Sequence, residues 1–292
     1  MSAERPPITG RTKVLALLGR PIGHALSPVI HNAALEAAGA DAVFVALSPT
    51  PEHLGEAVRG LFAAGCAGLS ITIPFKTAVI GLVDELGPSA AETGAANTIV
   101  IGADGRLAAH NTDVDGARRC LDVLPDRRRG HGVLLGAGGA ARAAATALAR
   151  AGLAQLTILN RTPAKAEALA DELAGAPIAL ATGAVDAGSL AHHLEAADLL
   201  VNTTSRGMYP DDEATPVPAD LLRPDLDVID AVYRPNPSRL CRDARAAGAS
   251  AVTGIDWIIA QGAVALKYWL GIDADESAMG AALDRYFSYH RN

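Results

Sequence analysis

Cysteine is scarce in this sequence, and the little that is present is dispersed. The 292 residues contain three cysteines, Cys66, Cys120 and Cys241, and no C-x-x-C pair. This spacing argues against a zinc site and against a disulfide framework, which are recognised by paired or closely spaced cysteines. The pattern is typical of a protein of a reducing compartment, and we predict a cytoplasmic location.

Long hydrophobic runs and an excess of positive charge are also missing. Half of the residues are apolar, yet no uninterrupted apolar run reaches the ~18 residues of a membrane-spanning helix. Residues 1–11 contain two prolines and charged side chains but no apolar core, so we expect no signal peptide. A formal net charge of −7 argues against non-specific nucleic-acid binding. We therefore expect neither a membrane nor a nucleic acid among the partners of this chain.

The most informative stretch is Gly132–Thr162, which contains a glycine-rich turn. A short apolar run, Val133–Leu135, leads into glycines and then into an alanine-rich segment without proline, a pattern that predicts a strand, a tight turn and a helix. The turn reads Gly136-x-Gly138-x-x-Ala141, a dinucleotide-binding fingerprint. Its small residues allow a sharp turn, let backbone N–H groups approach a pyrophosphate, and let the helix pack closely on the strand.

The end of the next apolar strand decides which dinucleotide we expect. The run Leu156–Leu159 is followed by Asn160, Arg161 and Thr162, and Lys165 comes one helical turn later. In an NAD site this position usually carries an acid that binds the ribose hydroxyls. Here a guanidinium stands in its place and suits a 2′-phosphate, so we predict NADP. The structural alternative is that Arg161 is simply solvated and that Thr162 caps the helix that follows.

The rest of the chain alternates between predicted strands and helices, which favours an α/β fold with parallel sheets covered by helices. A helix should begin with Ser27 at the N-cap and Pro28 at the first helical position. The charged, glycine-bearing segment 127–132 predicts a linker ahead of the nucleotide unit. The predicted strands are Lys13–Gly19, Ala42–Leu47, Gly68–Ile73, Leu199–Val201 and one that ends at Asp230. The further predicted helices are Pro51–Ala64, 163–174, Gly254–Leu270 and Glu276–Tyr289.

Two polar loops follow predicted strands of the first half and carry candidate catalytic groups. In the first loop, Pro74 ends the strand because proline cannot donate to a β-ladder, and Lys76 is brought to the rim of the sheet. The second loop, His110–Asp113, ends in a carboxylate. An ammonium and a carboxylate in such loops suit acid–base chemistry. The alternatives are that Lys76 is an ordinary surface cation and that Asp113 caps a helix starting near Val114.

Several strings of this sequence, in order, resemble the shikimate dehydrogenase family over essentially the whole chain. They are GRPIGHALSPVIHN, ITIPFK, GAANTIV, HNTDVDGA, LLGAGGAARA, LNRT, VNTTSRGM, DAVYRPNPS and GIDWIIAQGA. The resemblance implies two α/β domains. It implies a substrate-binding domain with a mainly parallel sheet at residues 1–113, a Rossmann-type NADP-binding domain at 114–252, and C-terminal helices at 253–292 that return to the first domain.

The resemblance also implies an activity and a set of site residues. The family reaction is reversible hydride transfer between NADPH and 3-dehydroshikimate, which gives shikimate in aromatic amino-acid biosynthesis, and Lys76 and Asp113 match the catalytic pair. No metal is implied, and a homodimer is compatible with the resemblance. The implied substrate contacts are Ser27, Thr72, Asn97, Tyr233 and Gln261. The implied NADP contacts are Gly136, Ala137, Gly138, Gly139, Ala140, Asn160, Arg161, Thr162, Lys165, Thr203 and Gly254.

Three positions depart from the family pattern. Ala25 replaces the first of two serines usual in the carboxylate-binding loop, Ser70 stands where Asn is common, and Trp257 stands where Met often lies near the nicotinamide. Losing one hydrogen bond to a charged group costs about 1.5–3 kcal/mol. We therefore expect a raised KM for shikimate, or a preference for quinate, aminoshikimate or a related ring acid.

Two other functions stay open at this point. The first is a catalytically idle, NADPH-binding regulatory module on the same fold. The second is another two-domain NADP oxidoreductase that acts on folates or amino acids, which the ring-binding strings argue against. His24 and His31 flank the Ser27 loop, and we predict that they stabilise it rather than bind a metal.

Overall fold

The computed structural model describes residues 6–102, 104–125 and 130–290. Residues 127–129 of the predicted linker lie outside these described residues. The chain divides into two compact units, Met1–Thr112 with Ile259–Asn292, and Asp113–Ile258. Each unit contains a six-stranded sheet.

The described residues alternate between strands and helices as the sequence predicts. The strands are β1 (Lys13–Leu18), β2 (Ala42–Leu47), β3 (Gly68–Ile71), β4 (Glu85–Leu86), β5 (Thr98–Ile101), β6 (Leu107–His110), β7 (His131–Leu135), β8 (Gln155–Asn160), β9 (Ala179–Ala184), β10 (Leu199–Asn202), β11 (Asp227–Asp230) and β12 (Ala251–Thr253). The helices are α1 (Ser27–Ala37), α2 (Leu54–Ala63), α3 (Pro88–Thr93), α4 (Asp113–Val123), α5 (Gly139–Arg150), α6 (Pro163–Glu172), α7 (Ala187–Glu195), α8 (Arg239–Ala246), α9 (Gly254–Leu270) and α10 (Glu276–Tyr289). The last two helices have the bounds predicted for them.

The sheet of the first unit is mainly parallel, with the order β2-β1-β3-β5-β6-β4. β1 runs parallel to both β2 and β3, whereas β5 runs antiparallel to β3 and β6. β5 and β6 are antiparallel because few residues separate them, since a parallel neighbour would need a long crossover, and the N–H of Gly102 donates to the carbonyl of Arg106 at 2.8 Å across the connection. The alternation of strands and helices does not reveal this reversal.

An aromatic cluster packs the C-terminal end of α9 against the first sheet. Trp269 of α9 packs beside Phe44 and His31, with ring centroids 5.9 and 5.5 Å apart. Its indole N–H donates to the carbonyl of Ile99 at 3.0 Å. Gly68 leaves the space for this ring, because a Cβ at that position would overlap the indole. Trp269 of α9 therefore forms part of the core of the first unit.

The start of α1 differs from its predicted geometry. The carbonyl of Leu26 accepts from the N–H groups of Val29 and Ile30 at 2.9 and 3.2 Å, so Leu26, and not Ser27, is the residue at the N-cap. Ser27 is the first helical residue and Pro28 the second. The backbone of Leu26 already has the near-helical conformation (φ −97°, ψ −3°), which moves the helix start back by one residue.

The second unit is a parallel sheet with the order β9-β8-β7-β10-β11-β12. In chain order this is the 3-2-1-4-5-6 arrangement of the doubly wound dinucleotide-binding fold. The strand order reverses between β7 and β10, and ligands of such sheets bind outside the carboxyl ends of the strands at this switch point. Among the described residues, no helix has the length and apolar character needed to span a membrane.

Candidate active site

The glycine fingerprint lies at the switch point, directly after β7. Gly136 has φ +112°, a conformation that favours glycine. A Cβ there would lie 2.6 Å from Thr203 Oγ1, which follows β10 and donates to the carbonyl of Leu135 at 2.7 Å. The N–H of Gly136 donates to the carbonyl of Leu159 at 2.9 Å. The structure thus brings the predicted contacts Gly136 and Thr203 together.

The N-terminus of α5 is open to an anion. Gly138 is exposed, and a Cβ on it would meet no atom of the described residues within 4 Å. The first turn, which includes Gly139 and Ala140, carries no acidic side chain, and no described side chain caps the helix. Ala137 and Ala140 are half-buried beside this opening, and Ala141 is fully buried, which allows close packing. The unpaired N–H groups and the positive helix end fit a pyrophosphate.

Two exposed cations follow β8. The side chains of Arg161 and Lys165 form no hydrogen bond or ion pair with any other described residue. Asn160 Nδ2 donates to the carbonyl of Thr162 at 2.9 Å and closes the turn between them. Thr162 lies at the N-cap of α6 and Pro163 is the first helical residue, as the structural alternative had it, although the Thr162 side chain makes no capping hydrogen bond. Two uncommitted cations without a neighbouring carboxylate in the turn suit the 2′-phosphate of NADP.

A buried polar cluster lies in the first unit. Asn97 Oδ1 accepts hydrogen bonds from Thr112 N at 2.8 Å, Thr112 Oγ1 at 3.2 Å and Thr98 Oγ1 at 3.0 Å. Asn97 Nδ2 donates to Gln261 Oε1 at 3.3 Å. Asn97 is 2% exposed and Gln261 9% exposed. Two predicted substrate contacts that lie 164 residues apart in the sequence are therefore neighbours.

The loop after β3 holds Lys76 next to this cluster. The carbonyl of Lys76 accepts from the N–H of Ala96 at 2.8 Å, and Ala96 directly precedes Asn97. Phe75 anchors the loop, because its ring is buried and its N–H donates to the carbonyl of Thr72 at 2.9 Å. The predicted residues Thr72, Lys76 and Asn97 thus lie in one part of the first unit.

Asp113 and Tyr233 both belong to the second unit. Asp113 is the first residue of α4 and is buried, and its Oδ1 accepts from Trp257 Nε1 at 3.1 Å. Burial raises the pKa of Tyr233; the Arg234 guanidinium opposes this effect, and the Asp113 carboxylate adds to it.

Two further predicted contacts lie at helix starts. Ser27, at the start of α1, is half-buried and its hydroxyl makes no hydrogen bond to any described residue. Gly254 begins α9, and its N–H donates to the carbonyl of Val232 at 3.3 Å. A side chain at Gly254 would overlap the backbone of Ala231, so glycine is needed there for close approach.

A second buried carboxylate, Asp230 at the end of β11, is not predicted from the sequence. Asp230 Oδ1 accepts from Asn202 Nδ2 at 2.8 Å and from Val232 N at 3.1 Å, and Oδ2 accepts from Ser238 Oγ at 2.6 Å. Asn202 Oδ1 in turn accepts from the N–H of Thr204 at 3.0 Å. Burial raises the pKa of Asp230 to about 6. The sequence shows only that Asn202 and Asp230 each stand at the end of a predicted strand, and the structure adds that these strands are adjacent and in register.

His31, which we predicted to stabilise the Ser27 loop, is a core side chain. Neither ring nitrogen has a hydrogen-bond partner among the described residues, and the ring stacks on Phe44 with centroids 4.3 Å apart. Burial lowers the pKa of His31 to about 3 and keeps it neutral. Within the part of the chain that the structure describes, no group of three His, Cys, Asp or Glu side chains is placed to hold a metal ion.

Known protein families match both units. Residues 17–99 match the shikimate dehydrogenase substrate binding domain, and residues 120–210 match shikimate/quinate 5-dehydrogenase. A shikimate dehydrogenase (NADP(+)) from Moorella thermoacetica is 43% identical over 281 residues, which cover 94% of each chain. The chain belongs to the shikimate dehydrogenase family.

Solved structures of this family share the fold. The shikimate 5-dehydrogenase from Thermus thermophilus, in complex with NADP(H) and shikimate, is 36% identical and matches 94% of this chain and 99% of its own with a TM-score of 0.82. The quinate dehydrogenase from Corynebacterium glutamicum, in complex with NAD, is 32% identical and matches the same shares with a TM-score of 0.85. The predicted α/β fold class and the predicted family are thereby confirmed.

Proposed function

We propose that the chain is an NADP-dependent oxidoreductase that interconverts 3-dehydroshikimate and shikimate. The observation that carries this proposal is the buried amide pair of Asn97 and Gln261 beside the loop of Lys76. Buried polar groups favour a ring whose hydroxyls satisfy them and disfavour analogues that leave them unpaired. Membership of the family supports the same reaction.

We infer that the first unit binds the ring acid and that the second binds NADP. The matched substrate-binding segment, 17–99, falls within the first unit. In the second unit, Gly138 and the open end of α5 suit the pyrophosphate, and Arg161 with Lys165 suits the 2′-phosphate. When bound, the dinucleotide supplies or accepts the hydride.

Lys76 is the proposed carrier of the proton. In the direction of reduction its ammonium donates a proton to the ring carbonyl oxygen while hydride reaches the carbon, and in the reverse direction the neutral amine takes a proton from the hydroxyl. Asp113 is the proposed carboxylate that orients this transfer. Ser27, Thr72 and Tyr233 are the proposed contacts to the carboxylate and hydroxyls of the ring acid.

Quinate and aminoshikimate are the second candidates, and Ala25 is the observation that favours them. Its methyl group cannot donate a hydrogen bond, which leaves Ser27 as the only hydroxyl of the loop 23–27. Steady-state kinetics with the three acids, each with NADP and with NAD, decides between them. The proposal is supported if kcat/KM is highest for shikimate with NADP. A higher kcat/KM for quinate or aminoshikimate would make that acid the substrate of the enzyme. No turnover with any of the three acids would favour the catalytically idle NADPH-binding module.

Replacing Lys76 tests the mechanism. Lys76→Ala should lower kcat by ~10²–10⁴-fold, the usual contribution of a general acid or base, and leave NADPH affinity nearly unchanged. Lys267→Ala is the matched control, because Lys267 belongs to the same unit and pairs with the exposed Asp273, at 2.6 Å. Equal kcat in wild type and Lys76→Ala would remove Lys76 from the mechanism.

We further infer a cytoplasmic location. Cys66, Cys120 and Cys241 are all free and buried, as suits a reducing compartment. A homodimer is compatible with the family resemblance, and sedimentation of the purified protein would test it.

A further inference from the structure

Trp257 contacts the proposed carboxylate of the reaction directly. Its Nε1 donates to Asp113 Oδ1 at 3.1 Å, and the two residues are 5% and 6% exposed. An indole N–H can only donate, so this bond always presents a hydrogen to an acceptor oxygen of Asp113. Because both partners are buried, water competes little for either of them.

The indole reaches Asp113 because Gly116 leaves room for it. Residues three apart on a helix lie on the same face, so Gly116 is next to Asp113 on the surface of α4. A Cβ on Gly116 would lie 2.5 Å from Trp257 Cδ1 and 2.9 Å from Trp257 Nε1. The ring therefore lies directly on the backbone of α4.

Packing, and not the hydrogen bond alone, sets the orientation of this ring. Trp257 belongs to the same hydrophobic core as Val114 and Ala117 of α4. A Cβ on Gly116 would also come within 2.8 Å of the Trp257 carbonyl, so ring and backbone are both close to the helix. Packing of the ring therefore sets the direction of the indole N–H independently of its hydrogen bond to Asp113.

We propose that Trp257 is a positioning residue that holds the Asp113 carboxylate in one rotamer for the proton transfer. This inference rests on the role proposed for Asp113. A side chain held by a rigid, buried donor stays in a productive geometry, and small misplacements of reacting groups cause large losses of rate. The indole N–H, and not only the bulk of the ring, therefore contributes to turnover.

Trp257→Phe is the central test, since it keeps most of the packing and removes the donor. We expect kcat to fall about tenfold, the size expected for one hydrogen bond to a charged group. The KM values for shikimate and NADP should stay nearly unchanged. Trp269→Phe is the matched control, because it removes an indole N–H bonded to the Ile99 carbonyl at 3.0 Å. The control should lose similar thermal stability and keep the wild-type kcat.

Removing the carboxylate shows whether Trp257 acts through it. In an Asp113→Ala background, Trp257→Phe should cause no further loss in the single-turnover rate measured by NADPH absorbance with enzyme in excess. A second tenfold loss there would overturn the proposal, as would equal kcat in Trp257→Phe and Trp269→Phe. If Trp257→Phe does not fold, Gly116→Ala displaces the ring by another route and should lower kcat in the same way.

The two proposals fail differently. A wild-type enzyme without activity on any of the ring acids would remove both the proposed function and this inference. An active wild type whose kcat is unaffected by Trp257→Phe would remove only the positioning role.

Discussion

Arg161 is an exposed cation at a strand end where a dinucleotide-binding unit often carries an acid. Arg161→Ala should lower the ratio of kcat/KM for NADP to that for NAD at least tenfold, because a charge-assisted hydrogen bond to the 2′-phosphate is lost. Arg118→Ala is the control, since Arg118 is exposed in the same unit and pairs with Asp122 at 2.8 Å. A cofactor ratio that stays at the wild-type value would rule out the phosphate contact.

Asp230 makes the stability of the protein depend on pH. Burial raises its pKa from 3.8 to about 6, so the folded chain holds this proton more tightly than the unfolded chain. This tighter proton binding adds to the free energy of unfolding below pH 3.8, and the added stability is lost as the pH rises through 6. The free energy of unfolding, relative to that of Asp230→Asn, should therefore fall by up to about 3 kcal/mol between about pH 4 and pH 7.

Urea unfolding of wild type and Asp230→Asn across this pH range measures the effect. Asparagine keeps an acceptor oxygen for Asn202 and does not titrate, so its pH dependence reports the rest of the molecule. Parallel curves for the two proteins would show that Asp230 does not titrate in this range.

At the scale of elements, one glycine allows the start of α9 to pack closely on the backbone that follows β11. Gly254 begins α9, and a Cβ there would overlap the Ala231 carbonyl and lie 2.9 Å from the carbonyl carbon of Val232. Because both neighbours are backbone, Gly254→Ala should lower the free energy of unfolding by about 1–3 kcal/mol. Chemical denaturation checks this value.

Gly60 provides the opposite case within α2. It is exposed, and a Cβ on it would meet no described atom within 4 Å. Gly60→Ala should therefore raise the free energy of unfolding by roughly 0.5–1 kcal/mol, the difference in helix propensity. If Gly254→Ala and Gly60→Ala change the free energy of unfolding by the same amount and in the same direction, the close approach of backbone at Gly254 is not the cause of the change there.

Local signals locate elements better than they locate caps. α10 has the predicted bounds, and Asp275 caps it by accepting from the N–H of Ala278 at 3.0 Å. Ser27 carries an equally good capping signal, yet the carbonyl of Leu26 begins the helix. The difference arises because the loop before α1 already has near-helical backbone, which a sequence pattern does not show.

At the scale of the whole molecule, the order of strands assembles the candidate NADP site. β7 and β10 are neighbours in the sheet although β8, β9 and their helices lie between them in the chain. This arrangement places Thr203 against Gly136 at the switch point. The first unit is likewise made from two separate stretches of chain, which Trp269 joins by packing on Phe44.

The sequence by itself determined the family, the α/β class, the glycine turn and the cationic strand end after β8. These features depend on contiguous residues whose chemistry and spacing act locally, so a pattern of a few residues is sufficient to reveal them. It also indicated the candidate residues Lys76, Asp113, Asn97 and Gln261 one by one.

Only the tertiary structure decided which of these residues meet and in what surroundings. Distant parts of the chain meet in the hydrogen bond between Asn97 and Gln261 and in the hydrogen bond between Trp257 and Asp113. The burial that raises the pKa of Asp230 likewise exists only in the folded chain. Such contacts depend on packing and on the exclusion of water, which arise only when the elements come together.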